Sequence, residues 1–208
     1  MKIGGLNTFS LSDYPGQVAA VVFTQGCNFR CPFCHNGRLI PIDVPKESLI
    51  SEDEVLRFLK SRKDQLNGVV ISGGEPTIQP DLCTFLCLIK NMDYAVKLDT
   101  NGSNPKVLRK LLENNLLDYI AIDIKAPWCK YSQLSGVNLQ VSHIKQSISL
   151  ISKSDIEHEF RTTVVETLLS QKNIQSIKTI VPDGSPYRLQ IFKPEHAFDR
   201  ELRGCRNR

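Results

Sequence analysis

The chain has 208 residues, 41% of them hydrophobic and 23% charged, which suits one globular domain with a substantial core. Lysine and arginine outnumber aspartate and glutamate 26 to 22; this net charge of +4 does not argue for nucleic acid, although it suits an anionic cofactor or partner. No apolar run reaches the ~18 residues of a membrane span and the first residues lack a signal peptide's apolar centre, so a cytoplasmic location without a membrane partner is expected.

In chain order, residues 18–24 (VAAVVFT) are an apolar run that predicts a buried strand, and a cysteine-rich loop at about 24–37 follows. Ser51 and Glu54 have the spacing of a capping box, and Val55, Leu56, Phe58 and Leu59 then give one helical face. Residues 68–72 predict a second strand, and 80–91 a helix with Leu82, Phe85, Leu86 and Ile89 at helical spacing. Strands at 95–99, 119–124, 159–165 and 188–192 alternate with helices at 105–115, 142–152 and 171–177. This rhythm implies a parallel sheet. The units are too few for an eight-fold barrel, so an open or partial α/β barrel in a single domain spanning 1–208 is predicted. The segment 199–208 mixes charges, with Arg200, Arg203, Arg206 and Arg208, and is expected to be a mobile, solvated tail.

The polar strand faces are informative. Lys97 and Asp99 share one side of the third strand, Asp123 and Lys125 one side of the fourth, and Glu159, Arg161 and Thr163 one side of the fifth. Arg188 and Gln190 oppose Leu189 and Ile191 on the sixth. The apolar sides are expected to pack on helices and the polar sides to face the barrel axis. A charged interior is costly unless something polar occupies it, so a cofactor inside the barrel is expected. The alternative is that one or two strands lie at an open edge and show these charges to water.

Four polar motifs end four consecutive strands: Cys27-x3-Cys31-x2-Cys34, Gly73-Gly74-Glu75-Pro76, Asp99-Thr100-Asn101-Gly102 and Asp123-Ile124-Lys125. The C-terminal ends of strands are where an α/β barrel does its chemistry. In a reducing compartment the seven cysteines stay as thiols, and clustered ones read as metal ligands. Three thiolates suit an iron–sulfur cluster with one iron left for a substrate. Cys31-Pro32-Phe33-Cys34-His35 also fits the haem-attachment pattern, but that chemistry needs export and leaves Cys27 unexplained. A zinc site that uses His35 would need adjacent Cys34 and His35 on one ion. Cys83 and Cys87 read as packed free thiols, Cys129 and Cys205 are isolated, and His143, His158 and His196 lack ligand spacing.

The cysteine motif, with Phe33 before its third cysteine, resembles the radical S-adenosylmethionine (SAM) signature, and Gly73-Gly74-Glu75-Pro76 resembles that family's glycine-rich motif, which contacts the SAM amino group. LSDYPG, FTQGCNFRCPFCHN, SGGEPT, LDTNG and DIKAP are similar to glycyl-radical-enzyme activating enzymes, above all to those of anaerobic ribonucleotide reductase. The resemblance implies a partial (β/α)6 barrel open on one side, and a [4Fe-4S] cluster on Cys27, Cys31 and Cys34. It also implies a SAM site among Phe33, His35, Gly73, Gly74, Glu75, Pro76, Asp99, Thr100, Asn101, Asp123 and Lys125, with Arg161 facing the SAM carboxylate, the partner or Glu159. The D-T and D-x-K motifs can also hold a monovalent cation. The implied activity is reductive cleavage of SAM to a 5′-deoxyadenosyl radical that takes hydrogen from a glycine of a glycyl-radical enzyme, with a flavodoxin- or ferredoxin-type electron donor. The alternatives are a radical SAM enzyme acting on a small molecule, similar to 7-carboxy-7-deazaguanine synthase, and a metal-bearing electron carrier or zinc-stabilised binding module.

Overall fold

A computed structural model of the chain describes residues 1–204. Seven strands form one sheet in chain order: β1 (Ile3–Ser10), β2 (Ala19–Thr24), β3 (Gly68–Gly73), β4 (Ala95–Thr100), β5 (Tyr119–Asp123), β6 (Glu157–Val164) and β7 (Tyr187–Ile191). β2 to β7 are parallel, and β1 pairs antiparallel with β2. The connections carry α1 (Glu52–Ser61), α2 (Leu82–Lys90), α3 (Pro105–Glu113), α4 (Tyr131–Ser135), α5 (Val141–Ser152) and α6 (Gln171–Lys178). Crossovers of one hand between strands in sequential order put the helices on one face and leave the other for a lumen. β1 and β7 pair with one neighbour each, so the sheet does not close, as expected of a partial barrel.

The pleat sorts the side chains. Val22, Ile71, Leu98, Ile122 and Phe160 join Leu59, Phe85, Leu108 and Ile148 of the helices in the main core. On the opposite face Ala19, Val21, Val70 and Tyr119 cluster with Tyr14 as an apolar floor. Beyond that floor the inward residues become ionic. The boundary is Lys97, 1% exposed, with its ammonium 5.8 Å over the Tyr119 ring and paired with Asp99. The expected Ser51 cap is present, its hydroxyl accepting from the Glu54 amide at 3.2 Å.

Four features depart from the sequence reading. β1 has no apolar alternation and contains Gly4 and Gly5, which weakens any strand signal. α4 is only five residues long. Leu189 and Ile191 do not pack under a helix; they are 45% and 80% exposed, because the chain after β7 forms no α-helix among the described residues. It turns back instead through short 3-10 helices at Pro194–His196 and Arg200–Gly204. The Asp199 amide donates to the Pro32 carbonyl at 2.8 Å, and Leu202 joins the main core. The segment expected as a solvated tail is therefore anchored at Leu202, with its neighbours Arg200, Glu201, Arg203 and Gly204 exposed, whereas Cys205, Arg206 and Arg208 lie outside the described residues. No described helix is long and apolar enough to cross a membrane.

Candidate cluster and cofactor site

The base of the cysteine loop closes on itself. The amides of Gly26 and Cys27 donate to the carbonyls of Leu39 and Ile40 at 2.8 and 3.0 Å, and Gln25 Nε2 donates to the Pro41 carbonyl at 2.7 Å. The Cys34 amide donates to the Cys31 carbonyl at 3.1 Å. α4 supports the loop from outside: the Arg30 amide and the Cys31 thiol both donate to the Ser135 carbonyl, at 2.7 and 3.9 Å.

The next strand loop presses against this one. The Glu75 amide donates to the Gly26 carbonyl at 2.9 Å. A Cβ on Gly74 would lie 2.0 Å from the Gly26 oxygen, so only glycine permits this approach. The Glu75 side chain is fully buried. Its Oε1 accepts from the Thr77 amide at 3.0 Å and from the hydroxyls of Thr77 and Thr100 at 2.5 and 2.7 Å, while Oε2 accepts from the Asn101 amide at 2.7 Å. Burial raises its pKa, against the pull of these donors. Glu75 thus fastens the third loop to the end of β4, a role additional to the ammonium contact expected of it.

All these ends open on one cavity of about 400 Å³. Cys27, Cys31, Cys34, Phe33, His35, Gly73, Gly74, Glu75, Asp99, Thr100, Asn101, Asp123, Lys125 and Arg161 line it. Pro76 does not; it is buried at the start of the 3-10 turn Pro76–Ile78. Ser72, Thr163 and Gln190 also line the cavity, and strand alternation could have added them to the site. Asp13 lines it too, but from a loop with no periodicity.

The lumen ions pair internally. Arg161 reaches Asp123 at 2.8 Å, Asp99 at 3.4 Å and Glu159 at 3.9 Å. Lys125 pairs with Asp123 at 3.1 Å, and the Ser72 hydroxyl donates to Asp99 at 3.1 Å. Burial alone would raise the Asp123 carboxyl, but Arg161 and Lys125 outweigh it and hold it well below the usual carboxylate range. Arg188, 60% exposed, meets Glu159 at 3.5 Å, so the charges of β7 do reach water at the open edge.

Burial pushes the Cys27 thiol up to about 12 and Cys31 to about 11, and raises Cys34 as well. Lys125 lowers all three, and the Phe29 amide donates to the Cys27 sulfur at 3.3 Å. Metal must displace these protons, and the nearby positive charge favours the thiolates. Among the described residues no three His, Cys, Asp or Glu side chains converge on one ion's position. A structural zinc would need a fourth ligand beside the three thiolates, so this donor set fits an iron–sulfur cluster better than a single zinc. His35 is engaged elsewhere: its Nε2 accepts from the Lys193 amide at 3.1 Å and its ring stacks on Phe192 at 5.5 Å. Burial, then His196 and Lys193, lower its pKa, which suits a neutral acceptor.

Of the other cysteines and histidines, Cys83 packs against the core, Cys87 and Cys129 are exposed, and His158 bonds the Ile156 carbonyl and the Ser185 hydroxyl, each at 3.0 Å.

The chain is 34% identical over 97% of its length to a Methanocaldococcus jannaschii protein named "Putative glycyl-radical enzyme activating enzyme", covering 84% of that protein. It is 37% identical over 85% of its length to the GTP 3′,8-cyclase of Campylobacter jejuni, covering 56% of it. Its fold matches Streptococcus suis SuiB bound to precursor peptide SuiA with a TM-score of 0.68 at 14% identity, over 88% of this chain. The chain spans only 43% of SuiB and little more than half of the cyclase. Residues 21–181 match the radical SAM superfamily, and with its cysteine loop at the C-terminal rim of a partial barrel, the chain belongs to that superfamily.

Proposed function

We propose that this radical SAM enzyme is an activase that installs a glycyl radical in a partner enzyme, with anaerobic ribonucleotide reductase as the expected partner and a flavodoxin- or ferredoxin-type protein as the electron donor. The carrying observation is that the thiols of Cys27, Cys31 and Cys34 share one cavity with Asp99, Asp123, Lys125 and Arg161 at the strand ends. The relative of the same length class, named as an activating enzyme, supports the choice of protein substrate.

When bound, a [4Fe-4S] cluster and SAM supply one-electron cleavage of the sulfonium and a 5′-deoxyadenosyl radical that takes hydrogen from a glycine α-carbon. In this reading Cys27, Cys31 and Cys34 would hold the cluster through their thiolates. Gly73 and Gly74 offer backbone to the SAM amino group, with Glu75 keeping that loop in place. Lys125 and Arg161 carry positive charge toward the SAM carboxylate, with Asp99 and Asp123 orienting both cations. A monovalent cation at Asp99, Thr100 and Asp123 would have to displace the Arg161 guanidinium from both carboxylates. The Tyr14 and Tyr119 floor keeps water from entering below.

The test is anaerobic reconstitution with iron and sulfide, reduction, and addition of SAM. A paramagnetic reduced-cluster signal that changes with SAM, together with 5′-deoxyadenosine, is expected. Ala at any one of Cys27, Cys31 and Cys34 should abolish both, and SAM cleavage that survives any of these changes overturns the assignment. The cyclase similarity favours a second reading, a small-molecule substrate; a product formed without any partner protein would establish that one instead.

A further inference from the structure

The net charge is small, but its distribution is uneven. Residues 24–42 contain Arg30 and Arg38 and no aspartate or glutamate. Residues 126–154 contain Lys130, Lys145 and Lys153 and no aspartate or glutamate. The fold brings these two segments together. α4 abuts the cysteine loop so closely that a Cβ on Gly136 would lie 2.2 Å from the Arg30 carbonyl oxygen. The turn after β4 joins them, with Asn28 donating to Ser103 at 2.8 Å and Ser147 of α5 donating to the Gly102 carbonyl at 2.6 Å. Arg30 and Lys145 are exposed on this face.

An aromatic pair connects the face to the cysteines. Trp128 is half-buried, with Lys145 Nζ 5.2 Å from its ring centroid. Its other neighbour is Tyr131, stacked at 5.5 Å and fully buried. Tyr131 opens the helix whose last residue, Ser135, accepts from the Cys31 thiol. Basic charge and a short packed route to one cluster ligand therefore lie on the same face.

We propose that the face formed by Arg30, Lys145 and Trp128 is the docking surface for an acidic one-electron carrier protein, which reduces the cluster from the Cys31 side. The carrier loses one electron, the oxidised cluster gains one, and no bond forms or breaks. This rests on the radical SAM activase reading for the need of a donor; the charge pattern and the aromatic stack decide where it docks. The charge on this face would steer an acidic partner and make its encounter dependent on ionic strength.

The experiment uses the reconstituted holoenzyme and a flavodoxin hydroquinone as the probe. Cluster reduction is followed by stopped-flow absorbance, with dithionite as a small reductant in parallel. Lys145→Glu should lower the bimolecular rate with flavodoxin by about tenfold at low salt. Its rate and 5′-deoxyadenosine yield with dithionite should match the unaltered enzyme. Lys60→Glu, an exposed reversal on α1, should leave both rates unchanged. An unchanged flavodoxin rate in Lys145→Glu, or an equal loss in Lys60→Glu, overturns the docking site. So does a Lys145→Glu enzyme that fails to form the glycyl radical in the partner but is still reduced normally by flavodoxin, since the face would then belong to the partner. Failure of the unaltered protein to cleave SAM with dithionite would instead remove the activase reading.

Discussion

Replacing Glu75 with Gln separates two roles for a residue that the sequence suggests is a ligand contact. Three donors meet Oε1 and one meets Oε2, all within 3.0 Å. An amide can keep its oxygen at the Oε1 position, but its NH2 then faces the Asn101 amide, donor against donor. Leaving that buried N–H unpaired costs about 1–3 kcal/mol. The three remaining bonds change from charge-assisted to neutral, losing roughly 1 kcal/mol each. Relief of the buried charge, already visible in the raised pKa, offsets part of this. The net expectation is a loss of about 2–4 kcal/mol, which for a chain of this size lowers Tm by roughly 5–15 °C. Thermal unfolding of the apoprotein by circular dichroism reads it. A shift below about 2 °C combined with lost SAM binding would refute the fastening role and leave Glu75 as a ligand contact alone.

Asp123 is held below its ordinary range, so the stability it contributes is complete above about pH 4 and drains away as pH falls through the lower folded-state value. Urea unfolding from pH 6 down to 2 should show a steeper acid loss in the unaltered apoprotein than in Asp123→Asn; parallel profiles would contradict the pairing. Because desolvation raises the Cys27 and Cys31 thiols, iodoacetamide should label them slowly at pH 8 compared with exposed Cys129, and mass spectrometry that finds equal rates would contradict that upward shift. Gly74→Ala should lose iron although all three cysteines remain, since its Cβ meets the Gly26 oxygen at the base of the loop. Gly204→Ala, whose Cβ meets nothing within 4 Å, should retain the cluster, and equal retention in both would show that the close approach is unimportant.

The parallel core of the fold is legible because its signals are local. Apolar runs mark the buried strands, and helical spacing marks α1, α2, α3, α5 and α6. The inward side of each strand also follows from the pleat, and Arg161 and Asp99 do meet inside the barrel. What cannot be read locally is what depends on distant partners. β1 is a strand because β2 offers it an edge, and IGGLNTFS carries little preference of its own. Leu189 and Ile191 alternate properly, but no periodicity announces that a helix will be missing above them. Glu75 looks like a free acceptor until Thr100 and Asn101 arrive from the next strand. His35 finds Phe192 and Lys193 only when the chain doubles back.

Because the strands lie in the sheet in the order in which they leave the ribosome, each new one can add to an edge that already exists. Growth is vectorial and requires no later strand to insert between earlier ones. The contacts that cover the cysteine loop are different. Lys193 reaches His35 across 158 residues, and Asp199 reaches Pro32 after a still longer wait. During synthesis the Pro32 and His35 side of the cysteine loop is therefore uncovered until residues 193–199 emerge. Cluster delivery and the closing of that segment are two events in the maturation of one nascent chain, and their order decides whether a scaffold protein carrying a preformed cluster meets an open loop or a covered one.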